Sequence, residues 1–478
     1  MTVTLNSRAD FTLETYKRVA WGGAPVQIAP AAREKMKAAR AYLMRLAERP
    51  EITIYGVNTG YGHHAKCRLD AEARQKHAEQ PTFHRAASWG DAVPERVARG
   101  IVFARLTNFI EGHAAASPAL ADAVASMLDG APLPPVPARG QGGAGEILSL
   151  SHLFLRLSEK HRMQPKDMLS LVNGSPAASA LIADASLAAR PRLTLSAEVF
   201  ALAAEAFKSP HGHFAAELQG YWNNPYDTEA LSLLRALMGP GHGGPRRPYQ
   251  APVSLRILPR VLGEALRAAS LAEDIARHSL MAITDNPVVI PEDEQVGADP
   301  VISTGGYHNI QAVSAMDALV AAYTNLVVLA GRIAAKLQDT SASLLPPFLG
   351  YGEGRSYLGC LPMALVGYEE EMRMLAQPTL LPGSESGGFG QDDIASPVFL
   401  AWSKVDRAGQ LFDQALATLA PIAVRALDVT GRPAPEAVLA IAELVAKHFP
   451  DKGDNVPMGE DIARLAEAFR TRIYSAQP

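Results

Sequence analysis

The sequence predicts a mainly α protein, a long central helical bundle with a smaller N-terminal mixed region. Three observations predict it. Hydrophobic residues make up 48% of the 478 residues but aromatics only 6%, so the apolar content is mostly Ala, Leu and Val. That composition suits long packed helices better than sandwiched sheets. Four stretches, 254–283, 309–340, 359–377 and 392–427, keep helical spacing well beyond the length of an average helix. The most hydrophobic run, 312–337, contains Asp317, Asn325 and Arg332, which marks a buried central helix rather than a membrane span. The expected division is an N-terminal region, 1–205, and a region of bundle and C-terminal helices, 206–478.

Composition excludes several classes of function. Net charge is −4 with no Lys/Arg block, which argues against a nucleic-acid surface. Cys67 and Cys360 are too few for a disulfide framework and sit in no metal-like spacing, as expected of reduced thiols. Met1 to Thr12 is polar, without an apolar signal core, so the expectation is a soluble, cytoplasmic protein with no membrane partner. No nucleotide or flavin motif appears.

Taken in order, Ala32 to Glu48 reads as an amphipathic helix closed by Pro50. Ile52 to Gly62 reads as a β-like run that breaks into a loop containing Gly56, Gly60 and Gly62. Pro94 to Gly130 is helical with a break near Ser117-Pro118, and the four prolines of 131–137 make a stiff connector. A helix should begin near Glu146, aiming its positive end at the corner Gly143-Ala144-Gly145. Residues 177–240 hold three further helical patterns and a loop rich in aromatics and histidine at His211 to Tyr226. His211-Gly212-His213 lacks a third ligand at a recognisable spacing, so no metal site is expected. A Gly/Pro/Arg loop at 239–248 precedes the long helices, and two short amphipathic helices close the chain.

Seven segments between about residues 50 and 400, in order, resemble the histidine, phenylalanine and tyrosine ammonia-lyases. Tyr55-Gly56-Val57-Asn58-Thr59-Gly60-Tyr61-Gly62 resembles their Y-G-V-N-T-G-F-G, and 82–90 their L-x-S-H-A-A-G-x-G. The stretch 138–152, ending Leu150-Ser151-His152, is similar to G-S-V-G-A-S-G-D-L-A-P-L-S-H, and 165–175 to P-K-E-G-L-A-L-x-N-G-T. Residues 249–263 match V-Q-D-x-Y-S-x-R-x-x-P-Q-x-x-G at Gln250, Ser254, Arg256, Pro259 and Gly263. Thr284-Asp285-Asn286-Pro287 with 303–308 resembles T-D-N-P and S-G-G-N-F-H, and 391–394 resembles Q-E-D-H.

The resemblance implies a fumarase/aspartase-like assembly, a homotetramer whose active sites draw on three subunits, and a set of roles. Tyr55 matches the catalytic base on its loop, Asn173 a residue beside the prosthetic group, and Gln250 a further active-site residue. Arg256 matches the residue that binds the substrate carboxylate, for which a planar guanidinium is suited. In these enzymes an Ala-Ser-Gly triplet cyclises and dehydrates into methylidene-imidazolone. Here Gly143-Ala144-Gly145 stands in its place, and Ala144 has no hydroxyl to lose. Val253 replaces an active-site tyrosine, Asp392 a glutamate, Ile394 a histidine, Arg85 the histidine that helps recognise the substrate's ring, and His84 the serine before it.

The losses are selective: the electrophile and a tyrosine next to it go, while the base and the carboxylate arginine stay. That pattern resembles the ergothionase branch of the superfamily and implies a carbon-nitrogen lyase with no cofactor. Its substrate would be an aromatic amino-acid betaine, whose trimethylammonium leaves as neutral trimethylamine. The expected reaction is ergothioneine to thiourocanate. Asp392 would attract the cation, helped by an aromatic face such as Tyr221 or Trp222, unless Asp392 is simply a helix N-cap. His84 or Arg85 would read the ring. The alternatives are elimination of an amine from another substrate, in the manner of the histidine or tyrosine enzymes, and a non-catalytic binding protein on the same scaffold.

Overall fold

Long alanine- and leucine-rich segments form the helices expected of them. The computed structural model describes residues 1–60, 66–80, 82–240, 244–297, 299–350, 358–383, 392–450 and 457–475. Its helices of eight residues or more are α1 (Pro30–Ala47), α2 (Ala71–Glu79), α3 (Glu95–Ile110), α4 (Pro118–Ser126), α5 (Ile147–Phe154), α6 (Pro176–Ala206) and α7 (Pro225–Met238). They continue with α8 (Leu258–Met281), α9 (Ile310–Gln338), α10 (Leu361–Leu375), α11 (Val398–Thr430), α12 (Leu439–His448) and α13 (Gly459–Ser475). The mixed character of the N-terminal region comes down to one short pair of strands, and a second pair forms later in the chain. Val3–Leu5 lies parallel to Val26–Ile28, and Val288–Val289 lies antiparallel to Val301–Ile302.

Two expectations are corrected. Ile52 to Ile54 forms no strand, and Tyr55 to Asn58 is turn; Tyr61 and Gly62 lie outside the described residues. The last long helix begins at Val398, not Asp392, because Pro397 is suited to the entry of a helix and not to its interior. Asp392 is therefore no N-cap.

The chain divides into two compact units; four of the five boundaries fall within the four longest helices, and the fifth follows α10. The first comprises 1–187, 272–316 and 379–403. At its centre lies α3, buried at every residue from Val97 to Ile110 and carrying Arg105 and Asn108 into the interior. The N-terminal segment packs on it through Phe11 and Phe103, whose ring centroids are 4.7 Å apart.

The second unit comprises 188–271, 317–378 and 404–478. Inside it Arg192 of α6 meets Asp413 of α11 with two parallel hydrogen bonds, 2.8 and 3.0 Å, and both side chains are almost fully buried. Gly409 makes this possible, since a Cβ there would stand 2.9 Å from the guanidinium carbon. Glu205 likewise accepts from both Arg432 and Arg246. Helix α9 is long and apolar enough to cross a membrane, yet 67% of its most apolar window is buried in the protein.

Removing one partner of a buried, bidentate pair strands the other charge, at a cost of about 3–5 kcal/mol. Asp413→Ala should lower the unfolding free energy by about that amount in a denaturant titration. The double change Arg192→Met with Asp413→Leu should recover most of the loss, because it removes the desolvation cost together with the pair.

Candidate active site

Tyr55 sits on a turn that is pinned on both sides. Ile54 and Val57 are buried in a cluster with Leu43, Leu46, Ala47, Ala115 and Val289. Asn58 closes the turn from within, accepting from the Ile54 amide at 2.7 Å and donating to the Ile52 carbonyl at 2.9 Å. Gly56 adopts φ +66°, and its amide donates to Thr59. The asparagine and threonine of Y-G-V-N-T-G thus build the turn, which leaves the half-buried Tyr55 to point elsewhere.

Three buried polar groups hold the next layer. Asn108 accepts from the amides of Thr284 and Asp285 at 2.7 and 3.2 Å, fastening the T-D-N-P loop to α3. Lys166, itself in the left-handed region at φ 79°, reaches Asp285 at 2.6 Å; both side chains are wholly buried. Arg105 donates to the carbonyl of Asn173. The Asn173 side chain then donates to the Asn286 carbonyl at 2.6 Å, which leaves its own oxygen as its remaining polar atom. Asn286 in turn accepts from Ser303 and from the Thr304 amide.

The Gly143-Ala144-Gly145 corner is tied in from two directions. Gly143 accepts from the Ser396 amide at 3.0 Å, which anchors the segment carrying Asp392. Gly145 has φ +66° and lies against Tyr307: a Cβ there would be 3.1 Å from the ring. Helix α5 starts at Ile147 as expected, but the Glu146 carboxylate turns to a different helix. It accepts from the first amides of α6, Ala177 and Ala178, both at 2.6 Å, where a negative charge is favoured.

These pieces enclose a cavity of about 250 Å³ within the first unit. Among the described residues it is lined by Tyr55, Ala144, Gly145, Glu146, Asn173, Asn286, Ser303, Thr304, Tyr307 and Asp392, with short apolar neighbours, and by no lysine, arginine or histidine. Five motifs distant in sequence therefore meet, bringing Tyr55, Ala144, Asn173, Asn286 and Asp392 together. Sequence reasoning missed Glu146 and Tyr307. Each stands inside a quoted motif, but nothing in residue type alone says that it faces a cavity. A larger hollow of about 330 Å³ in the second unit is lined by paired charges, Arg260 with Asp227 and Arg267 with Glu264, and by none of the proposed catalytic or substrate-binding residues.

The other predicted residues fall elsewhere. His84 and Arg85 occupy a single 3-10 turn, Phe83–Arg85, and are not among the cavity's described lining residues. Gln250, Val253 and Arg256 belong to the second unit, where Gln250 is exposed and Val253 is 55% exposed. The Arg256 Nε has no hydrogen-bond partner among the described residues. Tyr221 and Trp222 also belong to the second unit; Tyr221 is exposed and Trp222 lies under the Arg260 guanidinium at 5.3 Å. His213 accepts from the Ala251 amide at 3.1 Å, so it braces the segment that carries Gln250. Burial and the Arg256 charge lower its pKa, which keeps that nitrogen free to accept.

Burial pushes the Glu146 carboxyl up to about 8, against the pull of the two amides and of the Arg105 charge. A carboxyl raised in the folded state stabilises at low pH and loses that contribution as pH climbs through the folded value. Stability should therefore fall between about pH 5 and 8 from this group. In Glu146→Gln, which cannot ionise, thermal melts across that range should show a flatter decline than the wild type.

Residues 11–161 and 156–447 match the model of the aromatic amino acid lyase family. The chain is 29% identical to a histidine ammonia-lyase of Anaeromyxobacter dehalogenans, over 91% of this chain and 92% of that enzyme. It is 26% identical to a tyrosine ammonia-lyase of Cereibacter sphaeroides, over 95% of both. Among solved structures, ergothionase from Treponema denticola, in complex with desmethyl-ergothioneine sulfonic acid, superposes with a TM-score of 0.90 over the full length of both chains at 20% identity. With five of its seven motifs lining one cavity and both halves matched, this chain belongs to the aromatic amino acid lyase family and is a carbon-nitrogen lyase.

Proposed function

We propose that this lyase eliminates trimethylamine from ergothioneine to give thiourocanate, without a methylidene-imidazolone. The observation that carries the proposal is the lining of the cavity at the glycine-alanine-glycine corner. It has two carboxyls, two tyrosines and no cationic side chain among the described residues. Glu146 is turned to the amides of α6, so Asp392 and the two tyrosine rings are what favour a positively charged group, and among the described lining residues no cation stands ready for a carboxylate. Gly143-Ala144-Gly145 does not fit the prosthetic group of the family. The exocyclic carbon of that group forms when a serine side chain loses its hydroxyl, and Ala144 has none. The likeness in fold to ergothionase supports the same reading.

A quaternary nitrogen needs no covalent activation, since it departs as a neutral amine and has no lone pair with which to attack an electrophile. In the proposed reaction the Tyr55 phenolate removes a proton from the carbon next to the ring. The freed electron pair becomes the new carbon-carbon double bond, and the carbon-nitrogen bond breaks with its electrons going to trimethylamine. The proton then passes from Tyr55 to solvent. Asp392 and the Asn173 side-chain oxygen face the cation. Arg256 of a neighbouring copy holds the substrate carboxylate, with Gln250 beside it, in a homotetramer with shared sites. The exposure of Gln250 and Val253 on the second unit, with Arg256 half-buried beside them, supports that arrangement.

The purified protein should convert ergothioneine, giving the conjugated thiourocanate absorbance and one trimethylamine per turnover, and leave histidine, hercynine and tyrosine untouched. Turnover of histidine instead would sink the substrate assignment and favour the deamination that names its curated relatives. Tyr55→Phe should lower kcat about a thousandfold. If sites are shared, coexpressing Tyr55→Phe chains with Arg256→Ala chains should restore activity that neither variant shows alone; no recovery in mixed oligomers would rule sharing out.

A further inference from the structure

We propose that Tyr307 is the aromatic wall against which the trimethylammonium group rests, and that it sets the preference for a quaternary over a primary amine. This rests on the reading of the cavity as a cation site. Tyr307 borders the cavity that Asp392 also lines, and its side chain packs on Gly145, beside Ala144. Its neighbours clamp it in place. The Gly306 carbonyl accepts from Ser175 at 3.3 Å, next to the Asn173-Gly174 turn. On the other side His308 Nε2 lies 3.3 Å from the Ala395 carbonyl, in the segment that delivers Asp392. The backbone that carries Tyr307 is therefore held between the two segments that bring Asn173 and Asp392 to the cavity.

A trimethylammonium group has no N–H to donate, so hydrogen bonds cannot select it. Aromatic faces and nearby carboxylates can, because the charge is spread over methyl groups that make van der Waals contact with a ring. A primary ammonium gains less from such a wall, since its N–H groups would face carbon and go unsatisfied. Tyr221 and Trp222, the aromatics suggested by the sequence, do not line this cavity among its described residues, and Trp222 already covers Arg260. Tyr307 lies where they were expected to act.

Binding can be separated from turnover by working in full-length Tyr55→Phe protein. Isothermal titration with ergothioneine and with 2-thiohistidine, its primary-amine counterpart, would compare Tyr307→Phe and Tyr307→Leu, each first checked for a wild-type-like melting curve. The expectation is that Leu weakens ergothioneine about tenfold and thiohistidine hardly at all, while Phe stays within about twofold of Tyr for both. Equal weakening of the two ligands by Leu, or equal effects of Leu and Phe on ergothioneine, would overturn the proposal. Tetramethylammonium chloride serves as a second probe. If ergothioneine fails to bind the parent protein, the substrate assignment falls. Binding of tetramethylammonium that Phe keeps and Leu loses would then still uphold the wall, and binding indifferent to residue 307, or absent, would end it.

Discussion

The cavity depends on an ion pair that is not among its described lining residues. Lys166 and Asp285 meet at 2.6 Å with both side chains fully buried. Burial, with the charges of Arg105 and Arg40, pulls the lysine pKa down, and the carboxylate opposite works against that fall. Such a pair gives little net stability, but breaking it would strand a charge in the interior, so it fixes register strongly. The register it fixes joins the segment before Asn173 to the T-D-N-P loop. From there hydrogen bonds carry the order outward, through Asn173 to Asn286 and from Asn286 to Ser303 and Thr304. Arg105, also buried, secures the Asn173 carbonyl from behind. The polar residues facing the cavity are thus the outer end of a network whose inner end is paid for deep in α3 and its neighbours.

This arrangement separates the charges of the proposed reaction. Within the first unit the cavity's described lining offers carboxyls, hydroxyls, an amide oxygen and aromatic rings. The guanidinium proposed for the substrate carboxylate belongs to the second unit. Its positioning is no less deliberate, since His213 braces the strand of chain just before it through the Ala251 amide. Gln250, Val253, Tyr249 and Ile257 are all exposed on the second unit. Glu146 shows how a motif residue can serve structure at the site itself: placed beside the corner, it spends its carboxylate on the amino end of α6.

Much of this was legible in the sequence because helical periodicity and glycine-rich motifs are local. The four long helices, the break at Ser117, the helix starting after Glu146 and the two C-terminal helices all follow from spacing and caps. What misled was also local. Ile52-Thr53-Ile54 has the composition of a strand, yet Asn58 ties the backbone into a turn and leaves no edge for pairing. Asp392 resembles an N-cap, but Pro397 sets the start of the helix.

The sequence by itself determined the helical architecture and the order of the motifs, and it fixed the absence of a serine at residue 144. Those depend on side-chain identity and short-range backbone preference. Only the tertiary structure decided which motif residues share a cavity. Glu146 and Tyr307 reach it, Tyr221 and Trp222 lie on another unit, and Asn173 gives its amide nitrogen to the Asn286 carbonyl. Each of those outcomes depends on partners more than a hundred residues away, or on a neighbour's backbone, and a linear pattern carries no information about which donor finds which acceptor when the chain folds.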